Sequence, residues 1–236
     1  MGKPGQHRVF QFIELIFKCG IDTRVGMPEQ VHPPRADTIQ IALAVGIEQP
    51  GTATVADVER LCNREPKCLC ELVDGVLVEK AMGHVESRLA ARLIQLLGGF
   101  LDDHDLGIVA GADGPHRVLP DQVRFPDVAF IGYDQIPADA DPNTAVPDWI
   151  PSLAVEVISE SNTKAEMARK LKDYFEAGVK LVWYVDPPTR TVRVYHAPET
   201  FVTKGEGDEL DGETVLPGFH VSIHDWFDRA LRVRPN

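Results

Sequence analysis

A membrane-spanning run is the first thing this 236-residue chain lacks. Its first apolar stretch, VFQFIELIF from Val9 to Phe17, is interrupted by Gln11 and Glu14 and is too short to span a bilayer. No signal-peptide cleavage pattern follows it, so the chain reads as cytoplasmic with no membrane partner. Positive charge is scarce as well. A net charge of -12 excludes generic coating of nucleic acid, which needs clustered Lys and Arg, so any such role must rest on a local patch or on bound cations. Cysteines number four, and Cys62, Cys68 and Cys70 in LCNREPKCLC lack the second CxxC or HxxxH that completes a zinc site. They read as reduced thiols, like Cys19. Internal repeats, low-complexity tracts, a nucleophile elbow, a phosphate-binding loop and an HExxH helix are also missing, which removes the corresponding hydrolase chemistries.

What is present suits one fair-sized domain: 44% hydrophobic and 25% charged residues are enough to build a core under a charged surface. Residues 1–52, with the Pro-rich GMPEQVHPPRAD, show no fold pattern and read as an N-terminal extension, leaving 53–236 as the domain. Thr54 or Asp57 caps a short helix carrying Val55, Val58 and Leu61 inward. CELVDGVLVEK is a hairpin turning at Asp74-Gly75. In GHVESRLAARLIQLLGGFLDDH, Val85, Leu89, Leu93, Leu96, Leu97 and Phe100 recur at helical spacing, with Gly98-Gly99 a late weakness. Strand-like GIVAG, HRVLP, PDVAFIG, SLAVEVIS, KLVWYVD and TVRVYHA follow, and GEGDELDGE reads as an acidic turn. Between SLAVEVIS and KLVWYVD, TKAEMARKLKDYFEAG predicts a helix with a Thr163–Glu166 capping box, an apolar stripe of Ala168, Leu171 and Phe175, and Gly178 as its left-handed end. Strand, helix, strand with short links is a parallel crossover, and with the hairpin it gives a mixed sheet.

Glu156 is the residue out of place, a carboxylate among Leu153, Val155, Val157 and Ile158. Burying such a charge costs several kcal/mol unless something compensates it. The period of two puts Asp127 with Ala129 and Ile131, and Glu156 with Ala154 and Ile158, so neighbouring strands would bring both carboxylates together. Converging carboxylates ask for a cation, and hard oxygens suit Mg²⁺ or Mn²⁺. Lys170 and Tyr174, spaced i, i+4, can lean over Glu156, in a stretch made locally basic by Lys164, Arg169, Lys172 and Lys180. Plainer readings stand beside these. Asp127 after Pro126 is a common turn residue, Lys170 can pair with Glu166 in solvent, His84 can be a cap or surface residue instead of lying at the site, and Glu71 can be structural instead of a further acidic ligand.

FPDVAFIG, then PSLAVEVISESN, then RKLKDYFEAGVKLVWYVDPPTRTVRVYHAPE resemble the Uma-type restriction endonucleases, a bacterial branch of the PD-(D/E)xK nuclease superfamily. CELVDGVLVEKAMGHVESRLAARLIQLL and GETVLPGFHVSIHDWF resemble its first hairpin and helix and its closing segment, so the likeness covers residues 54–228. The resemblance implies an α/β (α+β) restriction-endonuclease-like core, a mixed sheet flanked by helices, and an endonuclease that uses Mg²⁺ or Mn²⁺ to hydrolyse nucleic acid, DNA before RNA. It also implies a homodimer, since two strands need two cuts. Asp127 matches the motif Asp and Glu156 the second acidic residue, with the Val157 carbonyl as a further metal ligand. Ile158 stands where the superfamily carries Lys; the matching Lys is Lys170, followed by Tyr174, and Glu166 replaces an Asp. The alternative is the same fold without catalysis, kept as a DNA-binding or assembly module.

Overall fold

The structure is a computed structural model that describes residues 51–65 and 67–233. The readings of VFQFIELIF, of Cys19 and of the extension up to residue 50 lie outside the described residues. Within them the elements run α1 (Val55–Asn63), β1 (Cys70–Val73), β2 (Val76–Glu79), α2 (His84–Asp103), β3 (Gly107–Gly111), β4 (His116–Leu119), β5 (Gln122–Arg124) and β6 (Val128–Gly132). They continue as β7 (Leu153–Val157), α3 (Lys164–Ala177), β8 (Leu181–Asp186), β9 (Thr191–Ala197), β10 (Thr200–Lys204), β11 (Glu209–Gly212), β12 (Leu216–Ser222) and α4 (Ile223–Leu231).

Turn and cap residues set these boundaries. Asp74 and Gly75 take φ values of 48° and 72°, the left-handed geometry that closes β1 onto β2. Asp57 reaches back to both the amide and the hydroxyl of Thr54 at 2.7 Å, fixing the start of α1. At α3 the Thr163 hydroxyl accepts from the Glu166 amide at 3.2 Å, the Glu166 carboxylate accepts from the Thr163 amide, and Gly178 ends the helix at φ 100°.

The strands form three sheets. A six-stranded mixed sheet, ordered β10-β9-β8-β7-β6-β3, is antiparallel except for β7 and β8, which α3 connects. The hairpin does not join it, contrary to expectation. Strands β2-β1-β5-β4 make a sheet of their own, with Leu72 opposite Val123, because Leu72, Leu77 and Val123 bury against Val58 and Leu61 of α1 in a separate core. The expected acidic turn is also corrected: its ELDG is strand β11, whose buried Leu210 pairs with Val221 of β12. One apolar residue among acids is too short a pattern for period two to register.

The central sheet is covered on both faces. Val128, Phe130, Val155 and Trp183 pack against Leu93 of α2 and Trp226 and Phe227 of α4. On the reverse face, Ala154, Val182 and Tyr184 meet Met167, Leu171 and Tyr174 of α3. Each large apolar side chain so buried contributes about 1.5–3 kcal/mol. Two helical stripes shift from their expected positions. In α3, Ala168 is exposed and Phe175 half-buried, while Met167 and Leu171 turn inward to the apolar cluster and Lys170, Asp173 and Tyr174 turn inward to polar partners. In α2, Val85 is 40% exposed and the buried stripe begins at Leu89. Among the described residues no helix is long and apolar enough to cross a membrane.

Gly98 and Gly99 do not interrupt α2, which runs on to Asp103. A Cβ at either position meets nothing within 4 Å. Gly98→Ala and Gly99→Ala should each stabilise the protein by about 0.5–1 kcal/mol, read as a higher urea midpoint with an unchanged slope.

Candidate active site

Antiparallel pairing of β6 and β7 sets Val128 opposite Val155 and Ala129 opposite Ala154. One step further, Asp127 and Glu156 fall side by side on the face that α3 covers. The Asp127 amide donates to the Val155 carbonyl at 2.9 Å, and its Oδ2 accepts from the Val157 amide at 2.7 Å. Both acids are 5% exposed, so Asp127 is no solvent-facing turn residue.

From α3, Lys170 Nζ lies 3.2 Å from Glu156 Oε2 and 3.0 Å from Glu71 Oε1, and the Tyr174 hydroxyl donates to Glu156 Oε1. Glu166 stays with its helix cap, so Lys170 pairs inward, across the sheet. Glu71, from β1, also accepts from Arg124 at 2.7 Å and from the Phe125 amide at 3.2 Å. Arg124 in turn grips Asp173, with Nε at 3.1 Å from Oδ2. Lys80, just after β2, meets Asp127 Oδ1 at 2.8 Å. The structure thus gathers Asp127, Glu156, Lys170, Tyr174 and Glu71, and adds Lys80, Arg124 and Asp173, which the sequence reading passed over. A signal for Asp173 was present, since with Lys170 and Tyr174 it completes an i, i+3, i+4 polar face. Lys80 and Arg124 gave none, because a Lys after a strand and an Arg on a short one are ordinary surface residues until the chain folds.

The charges do not balance. Among the described residues, four carboxylates (Glu71, Asp127, Glu156, Asp173) share three cations (Lys80, Arg124, Lys170) in this buried cluster. Glu71 is the best served: burial pushes its carboxyl up, yet Lys170 and Arg124 outweigh that and hold it down to about 2. Glu156 is the worst served. Burial raises it above the usual carboxylate range, Lys170 opposes, and the neighbouring Asp127 charge pushes it further up. Burial alone would lower the Lys170 ammonium, but Glu156 and Glu71 reverse this and keep it charged. The uncompensated negative charge therefore falls on the Asp127–Glu156 side.

His84 does not enter this cluster. It is exposed at the start of α2, in the wall of a cleft of about 600 Å³ that Ala81, Gly83, Ile158, Ser159 and Pro187 also line. The cleft opens beyond the carboxyl ends of the parallel strands β7 and β8, where ligands of α/β sheets commonly bind. Ile158 packs beside the α3 core and lines this cleft. Of the expected basic stretch, Arg169 pairs with Asp74 and Lys180 with Asp134, leaving a dispersed surface charge.

Residues 55–224 match a family model described as "Uma2: Putative restriction endonuclease". No curated protein matches the chain. A solved structure, described as a "putative nuclease belonging to DUF820" from Anabaena variabilis, is similar with a TM-score of 0.63 and 17% identity, over 75% of this chain and 99% of that one. The same α+β architecture is therefore shared.

A buried histidine beside the cluster offers a test of its electrostatics. His116, opposite Arg124 in the β4–β5 pairing, donates from Nδ1 to the Trp149 carbonyl at 3.1 Å, and its Nε2 is buried without a partner among the described residues. Burial pushes its pKa from 6.5 down to about 4, against the pull of the Trp149 bond. The unfolded imidazole takes its proton near 6.5 and the folded one only near 4, so this contribution is complete above pH 6.5 and lost as pH falls toward 4. Urea unfolding at pH 7 and pH 4 should show wild type losing about 3 kcal/mol more than His116→Phe.

Proposed function

The chain belongs to the Uma2 restriction endonuclease family, and we propose that it is an endonuclease hydrolysing phosphodiester bonds of DNA with Mg²⁺ or Mn²⁺ held by Asp127 and Glu156. The observation that carries this reading is the missing positive charge beside those two acids, which are paired across β6 and β7 and buried in a cluster with four carboxylates and three cations. Two hard carboxylates with room for water and phosphate oxygens are the donor set that Mg²⁺ and Mn²⁺ accept, and the Val157 carbonyl is a third candidate oxygen. When bound, such an ion neutralises charge developing on the phosphodiester and acidifies a water. The rest falls to the chain's own groups. Lys170, fixed by Glu71, keeps an ammonium beside Glu156, where it steadies the carboxylate and the attacking water. Tyr174 orients Glu156 through its hydroxyl, and Glu71 positions Lys170 through the same ion pair. His84 meets the phosphate backbone in the cleft. Cutting both strands of a duplex takes two such sites, so the working form is a homodimer.

One observation favours a second reading. All four oxygens of Asp127 and Glu156 already have a donor or an ammonium against them, as in a structural ion cluster. On that reading the fold binds nucleic acid or assembles with partners and does not cut.

Supercoiled plasmid, linear duplex and single-stranded DNA should be incubated with the protein in Mg²⁺, Mn²⁺ or chelator. Wild type should cleave only with metal, and Glu156→Gln, which keeps an oxygen for Tyr174, should cleave about 100-fold less or not at all while melting near wild type. A Glu156→Gln protein as active as wild type would overturn the assignment. DNA binding indifferent to chelator, without cleavage, would favour the second reading.

A further inference from the structure

Lys80 is the member of the cluster that touches Asp127 through an ion pair, and the reading above gives it no task. Its amide is held by the Leu69 carbonyl at 2.9 Å, which anchors the residue where β2 ends. Its ammonium lies 2.8 Å from Asp127 Oδ1 and donates to the Phe125 carbonyl, with the side chain only 8% exposed. The other Asp127 oxygen accepts from the Val157 amide, which is fixed in the central sheet by the pairing of β7 with β8. Oδ1 is therefore the oxygen that can turn to a metal ion, and Lys80 sits on it. The next residue, Ala81, lines the cleft, and a lysine stem has the flexibility to carry its ammonium there.

We propose that Lys80 is the internal counter-ion of the metal site: it neutralises Asp127 while no metal is bound, and a divalent cation enters by displacing it toward the cleft. This rests on the reading of Asp127 and Glu156 as metal ligands. Two positive ions cannot approach one buried oxygen without strong repulsion, since the interior screens charge far less than water does. The ammonium must therefore leave as the metal arrives. Until then it spares the fold a buried carboxylate without a partner, a costly arrangement. The same contact weakens metal binding, because part of the metal's interaction with Asp127 is spent on removing Lys80. Metal affinity and metal-free stability are thereby opposed through a single side chain.

Isothermal titration of Mn²⁺ into the full chain, with melting curves taken with and without Mn²⁺, tests this on wild type, Lys80→Met, Lys80→Gln and Asp127→Asn. Both Lys80 variants should bind Mn²⁺ at least tenfold more tightly than wild type, melt lower without metal, and gain more in melting temperature when metal is added. Two results would overturn the proposal and leave the metal centre standing. One is equal or weaker Mn²⁺ binding by the Lys80 variants, with binding lost in Asp127→Asn. The other is Lys80 variants that stay unfolded in millimolar Mn²⁺ while wild type binds it, which would make Lys80 a structural partner no metal replaces. Absence of Mn²⁺ binding in wild type and variants alike would remove the metal centre, and this proposal with it.

Discussion

Glu71 is held by two cations at once, and the arrangement of three elements follows from that. Arg124 reaches it from β5 and Lys170 from α3, while Arg124 also grips Asp173 one turn along the same helix. The small sheet and α3 are thus joined through charges rather than through apolar contact alone. Pairs of this kind add little net stability over an apolar substitute, but removing one partner strands the others and typically costs 3–5 kcal/mol. The cluster therefore acts mainly as a geometric constraint, and it fixes where Lys170 and Tyr174 stand relative to Glu156.

That constraint explains why the sheet can tolerate polar residues on its α3 face. Ala154 and Ala129 are small, so α3 can lie close enough for Lys170 and Tyr174 to reach the Glu156 carboxylate. The opposite face carries Phe130 and Trp183 and makes the conventional core with α2 and α4. Both sides of the sheet bury apolar groups, and the α3 side carries the charged groups as well.

Much of this was legible before folding. Glu156 stood out as a carboxylate inside an apolar strand, and its pairing with Asp127 needed only that β6 and β7 be neighbours. The caps of α1 and α3 and the Asp74-Gly75 turn followed from local chemistry. What could not be read was long-range. Whether the hairpin joined the main sheet depended on which core buried Leu72 and Leu77, and the inward phase of α3 depended on partners supplied by β1, β5 and β7. Hydropathy assigns Lys170 and Asp173 to the outside because it has no knowledge of Arg124 and Glu71. Helical spacing and the family resemblance both pointed to Lys170, but neither revealed that Lys80 meets Asp127.

The separation along the chain of these charged partners bears on how the protein is made. Arg124 is 53 residues from Glu71 and 49 from Asp173, so no short segment can form the cluster by itself. Contacts of such long range close late, after more local structure has formed. During synthesis α3 emerges well after the hairpin, and until it docks, Glu71 and Arg124 lack their third partner and Glu156 lacks both of its donors. A ribosome-bound or truncated chain that stops before α3 cannot assemble the charged centre. Assembly of this charged centre is thus tied to completion of the fold around it.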